Sequence, residues 1–132
     1  TDVYSKLTEF PTAKATVVID ACFSGGARNK GLVALKGIKV KPKMGAIAGN
    51  LVVFASSKGT ESSAVFKEKQ HGYFTYFLLK NLQTNSTNQN FSELINEINY
   101  QVSKEVLKIG KTQTPVVLPG LEIGEKWKTL KW

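Results

Sequence analysis

The chain has 132 residues, 42% of them hydrophobic, and 18 Lys plus Arg against 10 Asp plus Glu give it a formal charge of +8. That size suits one globular domain, and no apolar run reaches the roughly 18–20 residues a spanning helix needs, so no membrane segment is expected. One cysteine excludes an internal disulfide and a multi-cysteine zinc site, and with Asp2 and Asp20 as the sole aspartates an oxygen-rich calcium loop is not encoded here.

The polar start, Thr1–Thr12, lacks the apolar stretch of a signal peptide. A lone cysteine fits a reducing, cytoplasmic compartment and a catalytic thiol alike. The lysines are scattered and no Arg-rich run or aromatic-basic recognition motif accompanies them. The charge therefore reads as a solvated face, and nucleic acid is not an expected partner.

In chain order, Ala15–Ile19 is the first buried strand. Gly25 to Gly49 follows as an exposed excursion that carries Arg28, Lys30, Lys36, Lys39, Lys41 and Lys43, with a short hairpin around Ile38–Val40. Leu51–Ala55 is the second strand. Both strands are nearly continuous in apolar residues rather than alternating, the pattern of strands covered on two faces in a parallel sheet. His71–Leu82 places Phe74, Phe77, Leu78 and Leu82 on one helical stripe. Gln83–Asn90 is a polar loop whose two Asn-x-Ser/Thr triplets, at Asn85 and Asn90, reflect its Asn-rich composition. Ser92 is the expected N-cap of a second helix, with Glu93 in its first turn, Ile95, Ile98, Val102 and Ile109 on its apolar face, and Gly110 as its stop. Val116–Leu118 is the third strand. Strands separated by helices predict an α/β sandwich.

The chemistry concentrates in Val17-Val18-Ile19-Asp20-Ala21-Cys22-Phe23-Ser24-Gly25-Gly26. A cysteine stands at the carboxyl end of a buried strand, where open α/β sheets assemble their sites, and glycines beside it let a substrate backbone approach. The Cys22 backbone N–H is placed to be an oxyanion donor. From position alone, a small buried hydrophobe is the better explanation of a lone cysteine.

Asp20-Ala21-Cys22-Phe23-Ser24-Gly25 resembles the nucleophile segment of metacaspases and bacterial caspase-like peptidases. Four further stretches resemble elements of the same domain. Tyr4-Ser5-Lys6-Leu7 looks like the helix before the nucleophile strand, and Phe54-Ala55-Ser56-Ser57 like the next core strand and pocket wall. His71-Gly72-Tyr73-Phe74-Thr75-Tyr76-Phe77-Leu78-Leu79 looks like the following helix, and Gln113-Thr114-Pro115 like the approach to the last strand. The resemblance covers residues 1–120 as the C-terminal part of the domain, with 25–49 as the Lys-rich excursion and 121–132 as a tail of unknown role. It implies a three-layer α-β-α caspase-like sandwich with a mostly parallel sheet, incomplete in this chain. It also implies a cysteine endopeptidase acting on peptides or proteins with Cys22 as nucleophile.

In that family aspartate at the place of Asp20 helps form an acidic pocket for Arg or Lys, which makes Asp20 a substrate-binding candidate, with Ser56 lining the same pocket. A peptidase of that specificity makes Arg28, Lys30 and Lys36 candidate self-processing sites. The family's general base is a histidine upstream of the cysteine, roughly 50 residues upstream in caspases. None precedes Cys22, so the base is expected from an N-terminal fragment of the same domain outside this chain, which is then a necessary partner. His71, the one histidine, lies downstream and reads as a helix-opening residue. An unassisted thiol, with a pKa of about 8.5, is only a few per cent ionised at neutral pH, so the chain alone is expected to be a poor enzyme. No cofactor is expected in this chain, and calcium activation would act through the segment outside it. Two alternatives stay open: a non-catalytic caspase-like binding or scaffolding module, and a basic nucleic-acid-binding domain.

Overall fold

The computed structural model describes residues 3–21, 46–59, 61–85 and 88–132. The excursion with its expected hairpin at Ile38–Val40 lies outside the described residues, apart from residues 46–49. A short helix α1 (Val3–Leu7) precedes strand β1 (Ala15–Ile19), and β2 (Leu51–Ala55) follows. The small strands β3 (Val65–Phe66) and β4 (His71–Gly72) pair antiparallel ahead of helix α2 (Tyr73–Asn85). Helix α3 (Phe91–Leu107), strand β5 (Val116–Pro119) and a 3-10 helix at Gly124–Thr129 complete the order.

The main sheet runs β1-β2-β5. β1 and β2 are parallel, with Ala15 opposite Leu51 and Ile19 opposite Ala55, while β5 is antiparallel to β2, with Val116 opposite Ala55. The described sheet is thus mixed, with one parallel and one antiparallel pairing. β2 is its centre, and Leu51, Val52, Val53 and Phe54 have no exposed surface. That is why its sequence shows no alternation. β1 is less covered than its continuous apolar run suggested. It has one strand neighbour among the described residues, and Val18 is 43% exposed.

Val52 and Phe54 face a core built with Phe74, Phe77 and Leu78 of α2 and Phe91, Leu94, Ile95, Ile98, Val102 and Val106 of α3. α2 starts two residues later and ends three residues later than its apolar stripe indicated, because His71 and Gly72 are held in the β3–β4 ladder. α3 is capped by Asn90 rather than Ser92. The Asn90 side chain accepts from the Glu93 N–H at 2.9 Å and Glu93 returns a bond to the Asn90 N–H, a reciprocal capping box. Ile109 lies past the end of α3 and is half exposed, so Val106 holds the place expected of it. Gly110, at φ +67°, then takes the left-handed conformation that turns the chain away.

The tail is part of this core. Trp132 stacks on Phe54 at 5.8 Å and meets Phe91 at 5.1 Å, while Trp127 and Leu130 pack against the same cluster. The Leu130 carbonyl accepts from the Phe91 N–H at 2.8 Å, which satisfies an amide that the first turn of α3 would otherwise leave unpaired. Lys14 donates to the Lys131 carbonyl and lies over the Phe91 ring.

Both tryptophans of the chain are in this tail. Urea unfolding followed by tryptophan fluorescence is expected to superimpose on unfolding followed by far-UV circular dichroism. Ending the chain at Leu121 should cost about 2–4 kcal/mol from the apolar area re-exposed. A separate, earlier fluorescence transition would show that the tail is not part of the cooperative unit.

Candidate active site

Parallel pairing of β1 and β2 brings their carboxyl ends together, and the Ser56 N–H extends the ladder by donating to the Ile19 carbonyl at 2.9 Å. Asp20 follows β1 and Ser56 follows β2, so the two predicted pocket residues stand at the same end of the sheet. Cys22 lies outside the described residues, two positions beyond Asp20, as do Arg28, Lys30 and Lys36.

The two oxygens of Asp20 differ. Oδ2 accepts a 2.6 Å hydrogen bond from the Thr75 hydroxyl on the first turn of α2. Oδ1 is buried and has no hydrogen-bond partner among the described residues. Each ion pair among the described residues joins other side chains, and none includes Asp20. Gly72 closes one side of the carboxylate: a Cβ added there would overlap Oδ2 and come within 3.0 Å of Cγ.

Ser56 is buried at 2% exposure, and its hydroxyl shares a hydrogen bond with Ser63. Ser63 also reaches the Ala21 carbonyl at 3.4 Å, next to the expected nucleophile. The Ser56 carbonyl accepts from Gln113 Nε2 at 2.9 Å, and Gln113 Oε1 accepts from the Ala64 N–H at 2.8 Å. One buried amide thus satisfies a donor and an acceptor on the two ends of the 56–64 loop. Glu61 completes the brace, accepting from the Thr114 N–H at 2.6 Å and its hydroxyl at 3.0 Å. The 56–64 loop is therefore clamped to the approach to β5, and Ser56 acts in that clamp.

His71 does not open a helix. It pairs with Phe66 in the β3–β4 ladder and its side chain is exposed. Among the described residues no three His, Cys, Asp or Glu side chains come together as metal ligands. No helix of the described residues is long and apolar enough to cross a membrane.

Sequence reasoning missed Ser63 and Glu61 as site residues, and took Gly72, Thr75 and Gln113 only as parts of motifs. The signal at Thr75 was legible: it is the one small polar residue in the aromatic run Tyr73–Leu79.

A family model described as the caspase domain matches residues 1–121. The chain belongs to the caspase domain family. No curated protein and no solved structure matches it. The family is one of peptidase domains of the cysteine class, whose substrates are proteins or peptides. The β1–β2 pair ending in Asp20-Ala21-Cys22 and in Ser56 lies wholly inside the matched caspase domain, whereas the docked tail from Glu122 lies beyond it.

Replacing Gln113 by Leu keeps the volume but strands the Ser56 carbonyl and the Ala64 N–H in the interior. The expected cost is about 2–4 kcal/mol in urea denaturation, since each unsatisfied buried group costs about 1–3 kcal/mol. A loss below about 0.5 kcal/mol would show that the clamp is not holding the caspase-domain loop.

Proposed function

We propose that this chain is the cysteine-bearing part of an endopeptidase that cleaves after Arg or Lys, with Cys22 as nucleophile and a histidine outside the chain as base. The observation that carries the reading is the half-satisfied carboxylate of Asp20. A carboxylate oxygen withdrawn from water without a donor costs about 1–3 kcal/mol, and a cationic side chain entering beside it supplies that donor and the opposite charge. An aspartate or glutamate side chain in the same place would meet a like charge instead, so the contact selects as well as binds.

In the reaction the Cys22 thiol yields its proton to the base and its sulfur attacks the scissile carbonyl carbon. The carbonyl oxygen becomes an oxyanion facing the Cys22 N–H. As the peptide C–N bond breaks, the base returns the proton to the leaving amine and an acyl-enzyme remains. Water then hydrolyses the thioester and regenerates the thiol. β1 is paired on one edge among the described residues, which suits docking of a strand from the histidine-bearing segment along its other edge. Arg28, Lys30 and Lys36 are the candidate bonds for self-processing, by the same specificity.

The test is intact-mass analysis of the full-length protein after treatment with an arginine-directed covalent peptide probe, with an aspartate-directed probe as control. Addition of one arginine probe, lost in Cys22→Ala, is the expected result. Modification by neither probe in protein that contains the upstream histidine would favour a non-catalytic caspase-like module. Modification by the aspartate probe alone would overturn the assignment of Asp20.

A further inference from the structure

Resting on this reading of the site, we infer that Thr75 and Gly72 are specificity-determining positioning residues, which hold the Asp20 carboxylate so that Oδ1 is the oxygen offered to a cationic substrate side chain. Neither residue contacts substrate in this scheme. Each acts through Asp20, from α2 and from β4 respectively.

A free aspartate at a strand end rotates about its terminal torsion with a broad profile, so the plane of its carboxylate is loosely defined. Here that rotation is opposed twice. The Thr75 hydroxyl donates to Oδ2 at 2.6 Å, within the range of charge-assisted O–H bonds, and the bond binds the carboxylate to the first turn of α2. Gly72 leaves room on that side for a carboxylate and for nothing larger: an added Cβ would overlap Oδ2, with Cγ at 3.0 Å and Oδ1 at 3.2 Å. α2 in turn is anchored by buried Phe74, Phe77 and Leu78, and β4 by its pairing with β3 and by the Tyr73 N–H bonded to the Ala64 carbonyl at 3.1 Å. The carboxylate is thus aimed by two elements whose own positions do not depend on substrate. With Oδ2 engaged, Oδ1 is the oxygen left, among the described residues, unpartnered in a buried position. A cation that displaces what covers Oδ1 meets an acceptor already oriented, and the cost of ordering that acceptor has been met during folding.

Gly72 has no positive φ, so alanine fits its backbone. The atom that alanine would meet is the far end of a flexible side chain, which can swing aside. Gly72→Ala is therefore expected to displace the carboxylate while leaving the fold intact.

The experiment compares labelling rates at Cys22 in the full-length protein for two peptide probes identical except for arginine or citrulline, its neutral isostere, at the cleaved position. The arginine-to-citrulline rate ratio isolates the charge contact from general reactivity. Asp20→Asn should lower that ratio at least tenfold, as expected for a partner removed from a buried charge contact. Thr75→Val and Gly72→Ala should each lower it about three- to tenfold, less than Asp20→Asn because each only misdirects the carboxylate and leaves its charge in place. Thr75→Ser, which keeps the hydroxyl, should restore it, and the citrulline rate in Thr75→Val and Gly72→Ala should stay within about twofold of that of the unaltered protein. A ratio unchanged in Thr75→Val and Gly72→Ala but lowered in Asp20→Asn would overturn the positioning role while leaving Asp20 in its pocket. An unchanged ratio in Asp20→Asn, or no labelling of the unaltered protein by either probe, would overturn the proposed function itself. Equal loss of both rates in Thr75→Val, unrescued by Thr75→Ser, would make Thr75 a merely structural residue.

Discussion

The structure depends on the burial of one strand. Leu51, Val52, Val53 and Phe54 are wholly removed from water, and their ladder with β1 is in register and parallel. A slip of one residue would turn Val52 and Phe54 away from the helices and Leu51 and Val53 toward them, so the register is held by the hydrophobic surfaces on both sides. Everything of functional interest follows from that register. It brings Ile19 opposite Ala55, which places Asp20 and Ser56 next to each other at one end of the sheet. The helices that cover Phe54 then bring Thr75 over the same end.

Two kinds of polar arrangement meet there, and they behave oppositely. The brace of Ser56, Ser63, Gln113, Glu61 and Thr114 closes on itself: the Gln113 amide and the Glu61 carboxylate are each bonded through both terminal atoms to protein groups. Such a network specifies a conformation and has nothing left to offer a ligand. Asp20 is left open among the described residues, with one oxygen tied to Thr75 and the other buried without a donor. Native proteins rarely leave buried polar atoms in that state, and a functional site is one of the recognised reasons for doing so. The contrast between closed brace and open carboxylate separates the wall of the candidate site from its proposed binding group.

Much of this was legible in the residues alone, because hydrophobic runs and motif spacing carry strong local signals. The three strands fell where continuous Val, Leu and Phe runs placed them, and both helices followed from their apolar stripes. What was not legible depends on contacts between distant residues. The cap is an exception, for Asn90 has Glu93 three residues on to return the bond whereas Ser92 has Ile95, a local signal that the reading overlooked. The tail Leu121–Trp132 carries no motif, yet Phe54 and Phe91 leave an aromatic surface that Trp132 covers. Asp20 was identified through its motif, whereas Thr75, 55 residues away, enters the site only because α2 folds back over the strand end. Gln113 was visible as part of a motif but not as a bridge, since its partners Ser56 and Ala64 are likewise remote in sequence.

The central claim is that the unpartnered oxygen of Asp20 receives a cationic side chain of the substrate. A crystal structure of the full-length protein joined through Cys22 to an arginine-containing peptide inhibitor would test it most directly. The predicted result is a guanidinium nitrogen within about 3.2 Å of Asp20 Oδ1 while Thr75 keeps its bond to Oδ2. A guanidinium held elsewhere, with Oδ1 of Asp20 bonded to a group of its own protein, would contradict it.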